Sequence, residues 1–257
     1  MKILALDTST QAMSIALMVA TDDLKTAVLK AETTTNTKIK HSTQLLPLVN
    51  QLLMTIGWEA SQLEAIVVTR GPGSYTGLRI GVTFAKTLAW TLQIPLYSLS
   101  SLEALIGNSH CQEGVAFTFI NARRQTLFGA GYQLANGTIA KQILTSQYYT
   151  LAEYLDQIEI VLEQEQVDAH APLYFISPDY EVFQSGIRER FNDRAVILTG
   201  ERTLIRASQM VKLPLKVEDV ATFIPEYLKR AEAEEHWQAL HQEEAKRDGG
   251  HYVERAD

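Results

Sequence analysis

The sequence predicts a mixed α/β fold built as two lobes of like design. Three observations carry this. The chain has 257 residues, enough for one large or two modest domains at roughly 100–200 residues each. An order of three strand patterns, a helix, a strand, a helix and a strand runs through its first half. The same order then runs through the second.

Residues 2–6 form a short apolar run, the pattern of a buried strand. Residues 13–19 give a second strand, with Asp22-Asp23 as a turn signal, and residues 26–29 a third. A helix capped by Ser42 follows, with Leu45, Leu46, Val49, Leu52, Leu53 and Ile56 at helical spacing. Pro47 lies near its start and is expected to shift or kink it. Residues 65–69 are apolar and β-branched, a strand pattern. A glycine-rich loop over 70–77 leads into a helix over 78–92. Pro95 breaks the chain, 96–99 make another strand, and Ser100 with Glu103 reads as a capping box.

In the second half, 115–120 and 126–134 read as strands, and Asn136-Gly137 signals a hairpin into a strand over 139–144. Thr150 and Glu153 form a second capping box before a helix reaching about 162. A strand over 173–176, a helix over 181–191 and a strand over 195–198 complete the repeat, with helical patterns near 206–213 and over 226–245. Three meandering strands followed by alternating helices and strands make a mixed sheet with helices on its faces. Two such units suggest the actin-like ATPase (ASKHA) fold of two ribonuclease-H-like lobes. Residues 1–107 form the expected first lobe and 108–245 the second, whose last helix can pack back on the first; 246–257 read as a mobile tail.

Composition narrows the function classes. At 46% apolar and 21% charged the chain is globular, and its net charge of −7 argues against an autonomous nucleic-acid binder. The single cysteine, Cys111, forms no intrachain disulfide and fits a reducing compartment. Asp7 interrupts the first apolar run, so the start does not read as a signal peptide, and no stretch approaches a membrane span. The expectation is a soluble cytoplasmic protein.

The densest signal is the loop from Arg70 to Gly81, with Gly71, Gly73, Ser74, Thr76 and Gly77 at its centre. Glycines here permit close approach of a backbone or a phosphate, and a helix start offers free N–H groups to an anion. It also reads as a tight strand-to-helix turn, and without a following lysine it is not a Walker loop. Asp7, Thr8 and Ser9 sit in the turn after the first strand, which in actin-like proteins can touch phosphates and metal. The same residues also suit a hairpin that bonds its own backbone. The six histidines, His41, His110, His170, His236, His241 and His251, show no metal-binding spacing. No serine nucleophile with an identifiable base stands out.

The helix over 78–92 is apolar nearly all round, and the helix with Leu45, Leu48 and Leu52 is similarly broad. A helix apolar on every side is buried on every side. The pair either cover each other within the lobe or meet a partner, with Leu45, Leu48, Leu52, Val82, Ala85 and Ala89 as candidate interface residues.

These segments carry a resemblance. Ile3-Leu4-Ala5-Leu6-Asp7-Thr8-Ser9, His41-Ser42-Thr43-Gln44-Leu45-Leu46-Pro47, 71–81 continuing through Ala85-Lys86-Thr87-Leu88-Ala89, and Ser100-Ser101-Leu102-Glu103-Ala104-Leu105 resemble the TsaB (YeaZ) family. Ala122-Arg123-Arg124 and Pro225-Glu226-Tyr227-Leu228-Lys229-Arg230 match more weakly. The resemblance implies a non-catalytic dimerization subunit of the complex that attaches threonylcarbamoyl to the tRNA adenosine beside the anticodon. It implies pairing with the catalytic paralogue TsaD or with a second copy, a TsaE-type ATPase in the complex, and contact with tRNA only through that complex. It further implies no cofactor of the chain's own, with ATP and a metal ion held by the partner subunits.

Two departures from the catalytic pattern support that reading. The two histidine metal ligands of TsaD fall here on Ser101 and Leu105, neither of which replaces an imidazole. Where the family often shows Asp-Ala-Arg, this chain has Asn121-Ala122-Arg123, without the charge that would orient Mg²⁺. Nor does a Gly-Gly pair near Thr199-Gly200-Glu201 admit an adenine. The competing readings are a stand-alone actin-like phosphotransferase or ATPase, which needs acids in both lobes, and a glycoprotease-type peptidase, which needs a nucleophile or metal.

Overall fold

The computed structural model describes residues 1–21, 23–37 and 41–229. Its first sheet begins with β1 (Lys2–Asp7), β2 (Met13–Val19) and β3 (Val28–Thr35), an antiparallel meander. Helix α1 (His41–Thr55) crosses to β4 (Ala65–Gly71), parallel to β1, and α2 (Tyr75–Leu92) crosses to β5 (Leu96–Ser100), parallel to β4. After α3 (Ser101–Gly107) the path repeats through β6 (Gly114–Asn121), β7 (Thr126–Ala135), β8 (Thr138–Thr150), α4 (Leu151–Gln164), β9 (Leu173–Ile176), α5 (Tyr180–Phe191) and β10 (Ala195–Ile197). The spatial orders β5-β4-β1-β2-β3 and β10-β9-β6-β7-β8 are the same arrangement made twice, which is the actin-like fold of two ribonuclease-H-like lobes.

Burial explains the strand sequences. β1 lies mid-sheet with both faces covered, so Ile3-Leu4-Ala5-Leu6 is apolar throughout. Leu4 and Leu6 meet Leu45, Val49 and Leu53 of α1 and Val82, Ala85 and Ala89 of α2 on the outer face. Ile3 and Ala5 face a middle layer between the sheets. That layer holds Leu102 and Leu105 of α3, Ala116, Ala130 and Tyr132 of the second sheet, and Ala207 and Met210 of α6 (Ala207–Met210). On the far side, Phe117, Phe119 and Phe175 meet Tyr154 and Ile158 of α4 and Phe183 and Ile187 of α5.

Local signals position the ends. Both expected capping boxes form: the Ser100 N–H donates to the Glu103 carboxylate and the Thr150 N–H to that of Glu153, each at 2.8 Å. Asn136 and Gly137, with φ of 53° and 71°, make the two-residue turn between β7 and β8. Helix α1 runs on through Pro47.

Three expectations are corrected. β3 extends to Thr35 and β8 to Thr150, because both are sheet-edge strands whose polar ends need no apolar alternation. The helical pattern expected over 206–213 shortens to α6. Residues 226–229 are not helical, while the rest of the helix expected to 245 and the tail over 246–257 lie outside the described residues. The chain also leaves the second lobe earlier than expected. β11 (Lys216–Glu218) pairs antiparallel with β5, adding a sixth strand to the first sheet. The strap beyond it is first anchored on the first lobe: Phe223 is buried in the outer core, and Lys86 Nζ of α2 donates to the carbonyls of Ala221 and Phe223 at 2.9 and 3.0 Å.

Candidate functional site

A cleft of about 1370 Å³ opens between the lobes. The β1–β2 turn and the start of α2 line one wall, the β6–β7 hairpin and the start of α5 the other, and the strap at 226–229 crosses its mouth.

The glycine-rich loop is built for contact with its own chain. Ser74 caps α2, its Oγ accepting the Gly77 N–H at 3.2 Å. The Ser74 N–H donates to the Ser9 carbonyl at 2.7 Å, and Thr8 Oγ1 donates to the Gly77 carbonyl at 2.7 Å. A Cβ at Gly73 would stand 2.2 Å from the Ser9 oxygen, and one at Gly77 2.1 Å from the Thr8 oxygen. These glycines let two backbones touch. The anion-contact candidates divide accordingly. Asp7, Thr8 and Gly71 are buried and do not line the cleft, whereas Ser9, Gly73, Ser74, Thr76 and Gly77 do.

Asp7 is fully buried. Its Oδ1 accepts the Ser9 N–H at 3.1 Å, the Ser9 hydroxyl at 2.7 Å and the Thr69 hydroxyl at 2.6 Å. Its Oδ2 has no partner among the described residues. Burial pushes the carboxyl above its ordinary value, against the opposing bonds from Thr69 and Ser9 and the charge of His41. His41 opens α1 with Nε2 2.9 Å from the Thr10 carbonyl; a carbonyl only accepts, so Nε2 carries the proton.

Across the cleft, Asn121 Oδ1 accepts the Arg123 N–H at 2.8 Å. Arg123, Arg124 and Gln125 then take left-handed φ values of 68°, 48° and 60°, an uncommon run for residues with side chains. The Asn121 N–H donates to Asp179 Oδ2 at 2.9 Å, and burial raises the Asp179 carboxyl. Asp179 is a cleft acid that the sequence reading missed. Ser177-Pro178-Asp179 before α5 was the available signal, but it reads as a helix cap, and the side chain bonds Asn121 instead. Ser101 and Leu105 are fully buried in the layer between the sheets. Among the described residues no group of three or more His, Cys, Asp or Glu side chains could hold a metal ion.

The helix-pair candidates are reassigned. Leu45, Val82, Ala85 and Ala89 are at most 2% exposed and belong to the lobe's own core. Leu48 and Leu52 are half-buried, while Leu46, Met54 and Trp90 point outward.

Comparison with known proteins agrees with this geometry. The family model described as "TsaD: tRNA N6-adenosine threonylcarbamoyltransferase" matches residues 29–246. The Bacillus subtilis tRNA threonylcarbamoyladenosine biosynthesis protein TsaB is 36% identical over 239 residues, covering 92% of this chain and 98% of that protein. The chain belongs to the TsaB family. The tRNA N6-adenosine threonylcarbamoyltransferase of Trichlorobacter lovleyi is 37% identical over 81 residues, 32% of this chain and 24% of that protein. The structure of YeaZ from Pseudomonas aeruginosa superposes with a TM-score of 0.66 at 26% identity, covering 88% of this chain and 99% of that one.

Proposed function

We propose that this chain is the non-catalytic subunit of the tRNA adenosine-37 threonylcarbamoyltransferase, pairing with a TsaD-type catalytic paralogue. The observation that carries the reading is the glycine loop, whose Gly73 and Gly77 press directly against the chain's own β1–β2 turn at Ser9 and Thr8. A loop so packed supports scaffolding rather than phosphoryl chemistry. A phosphotransferase would need acids facing a nucleotide from both lobes, and Asp7 is enclosed. Ser101 and Leu105 stand where the paralogue carries its metal ligands.

In this reading ATP and the metal ion belong to the partner subunits, a TsaE-type ATPase joins the complex, and tRNA is engaged through the complex. The outward residues of α1 and α2, Leu46, Met54 and Trp90, with Leu48 and Leu52 beside them, form the pairing surface for TsaD or, without it, for a second copy. No helix among the described residues is long and apolar enough to cross a membrane, which fits work on tRNA in the cytoplasm.

The test uses purified components. The chain alone, given tRNA and threonylcarbamoyl-adenylate, should transfer nothing, and adding the cell's TsaD and TsaE homologues should yield modified tRNA. Robust transfer by the chain alone would overturn the proposal. So would failure of the chain to co-purify with the TsaD homologue.

A further inference from the structure

A ribbon of rings and cations crosses the cleft mouth from lobe to lobe. Tyr75, the first residue of α2, stacks on Tyr227 of the strap with ring centres 4.9 Å apart. The Arg79 guanidinium lies 4.3 Å from the Tyr75 ring centre, and its Nε donates to the Tyr227 hydroxyl at 3.0 Å. Two residues on, Lys229 Nζ sits 5.0 Å from the ring centre of Tyr148 on β8. Tyr148 in turn lies 5.9 Å from Phe128 on the cleft wall. Tyr75 and Tyr227 are 44% and 38% exposed, so part of each ring is open to solvent. Arg123 on the strained hairpin and Tyr180 at the start of α5 face the same opening.

We propose that this ribbon is a binding surface for single-stranded RNA, namely unpaired bases of the tRNA substrate. The inference rests on the proposed place of the chain in a tRNA-modifying complex. Exposed aromatic rings and guanidinium planes interleaved with cations are the arrangement on which unstacked bases lie, whatever their sequence. Tyr75 and Tyr227 provide the stacking faces, and Arg123 and Lys229 stand where phosphates would run. Among the described residues neither Arg123 nor Lys229 has an acidic partner. Of the acids lining the cleft, Glu226 pairs with Arg70 at 3.0 Å and Asp179 bonds the Asn121 N–H. Glu181, which accepts the Tyr180 hydroxyl at 3.4 Å, and Glu201 also line the cleft and suit the N–H edges of bases rather than phosphate. The chain's net charge of −7 opposes a polyanion, so stacking is the larger contribution here and bulk attraction must come from the partner.

The experiment measures equilibrium binding of a labelled, unmodified tRNA transcript to the assembled complex at several salt concentrations. The full chain carries Tyr75→Ala, Tyr227→Ala or Arg123→Ala, and circular dichroism and gel filtration check folding and assembly. Each tyrosine variant should weaken binding roughly tenfold. Tyr227→Phe should bind like the natural chain. Arg123→Ala, remote from the strap, should lower the salt slope by about 0.7. Normal affinity and slope in all three alanine variants of an intact complex would overturn the inference. So would loss of assembly with normal RNA binding, which would make the ribbon a protein-docking surface. Ultraviolet cross-linking of the natural isolated chain to an anticodon stem-loop gives a separate reading. Cross-links at Tyr75 or Tyr227 would support the surface even if the chain failed to pair with a TsaD homologue, and cross-links confined elsewhere would count against it.

Discussion

Thr8 Oγ1 donates to the Gly77 carbonyl at 2.7 Å, across a contact so close that a Cβ on Gly77 would lie 2.1 Å from the Thr8 oxygen. The hairpin and the helix start are therefore one packed unit. Neither can move to admit a phosphate without the other.

Gly77→Ala tests this contact. Backbone must meet backbone there, so no flexible side chain can yield, and the expected loss is about 2 kcal/mol or more. Gly200→Ala is the control. Its φ is 66° but nothing lies within 4 Å, so only the conformational cost of about 1 kcal/mol applies. Urea denaturation of both variants measures the difference. Equal losses would contradict the packing account of the loop.

Asp7→Asn separates a structural carboxylate from a catalytic one. Burial raises the Asp7 carboxyl, so the folded state disfavours the charge at neutral pH. The penalty is fully present above the raised folded value and vanishes below the ordinary value of 3.8. The asparagine variant should therefore be more stable than the natural chain at pH 7, with the gap closing as the pH falls towards 3.8. Lower stability at pH 7 would show that the ionised form is needed.

The opposite sign applies at Glu32. Burial pushes its carboxyl up, but bonds from Arg206 and from the Ser208 N–H at 3.0 Å outweigh it and hold the value below 4.5. A depressed value contributes stability above the ordinary 4.5 that is lost as the pH falls through the lower folded value. Glu32→Gln should flatten that acid limb of the stability profile and cost roughly 1–3 kcal/mol at pH 7. An unchanged acid limb would mean the β3–α6 bond carries little energy.

On the helix pair, inward and outward positions should behave differently. Val82 is 2% exposed, so Val82→Glu buries a charge in the core and should unfold the lobe, by more than about 4 kcal/mol. Met54 and Trp90 are 80% and 59% exposed, so Met54→Glu and Trp90→Glu should stay folded. If α1 and α2 form the pairing surface, these variants should weaken association with the TsaD homologue at least tenfold, read by co-purification and calorimetry. Normal pairing by both folded variants would place the interface elsewhere.

Where a segment's environment was local, its sequence could be read. Ile3 to Leu6 announced a strand covered on both faces, and Ser100 with Glu103 announced a helix start. The facing of α2 was harder, because apolar residues surround it. The threonines Thr83, Thr87 and Thr91, four apart and all exposed, were the usable sign of its outer side. Asp179 and the strap were out of reach because their partners are distant in sequence; Arg70 and Glu226 are 156 residues apart. The glycine loop was visible as a motif, but its contact with the first hairpin was not, because Thr8 and Gly77 lie 69 residues apart in sequence.

The return of the chain to its first sheet has a consequence for how the protein forms. β5 has β11 as its outer neighbour, and β1 to β3 are bonded by Ser14 to Ala207, 193 residues away, and by Glu32 to Arg206, 174 away. The half that leaves the ribosome first is therefore the half that must wait for the other. Non-local contacts of this kind slow folding, because a long loop must close before they form. A fragment ending at residue 107 would present a bare strand edge at β5 and an uncovered apolar face, the features that favour aggregation. The two lobes are thus expected to melt in one cooperative transition, with neither surviving the loss of its neighbour.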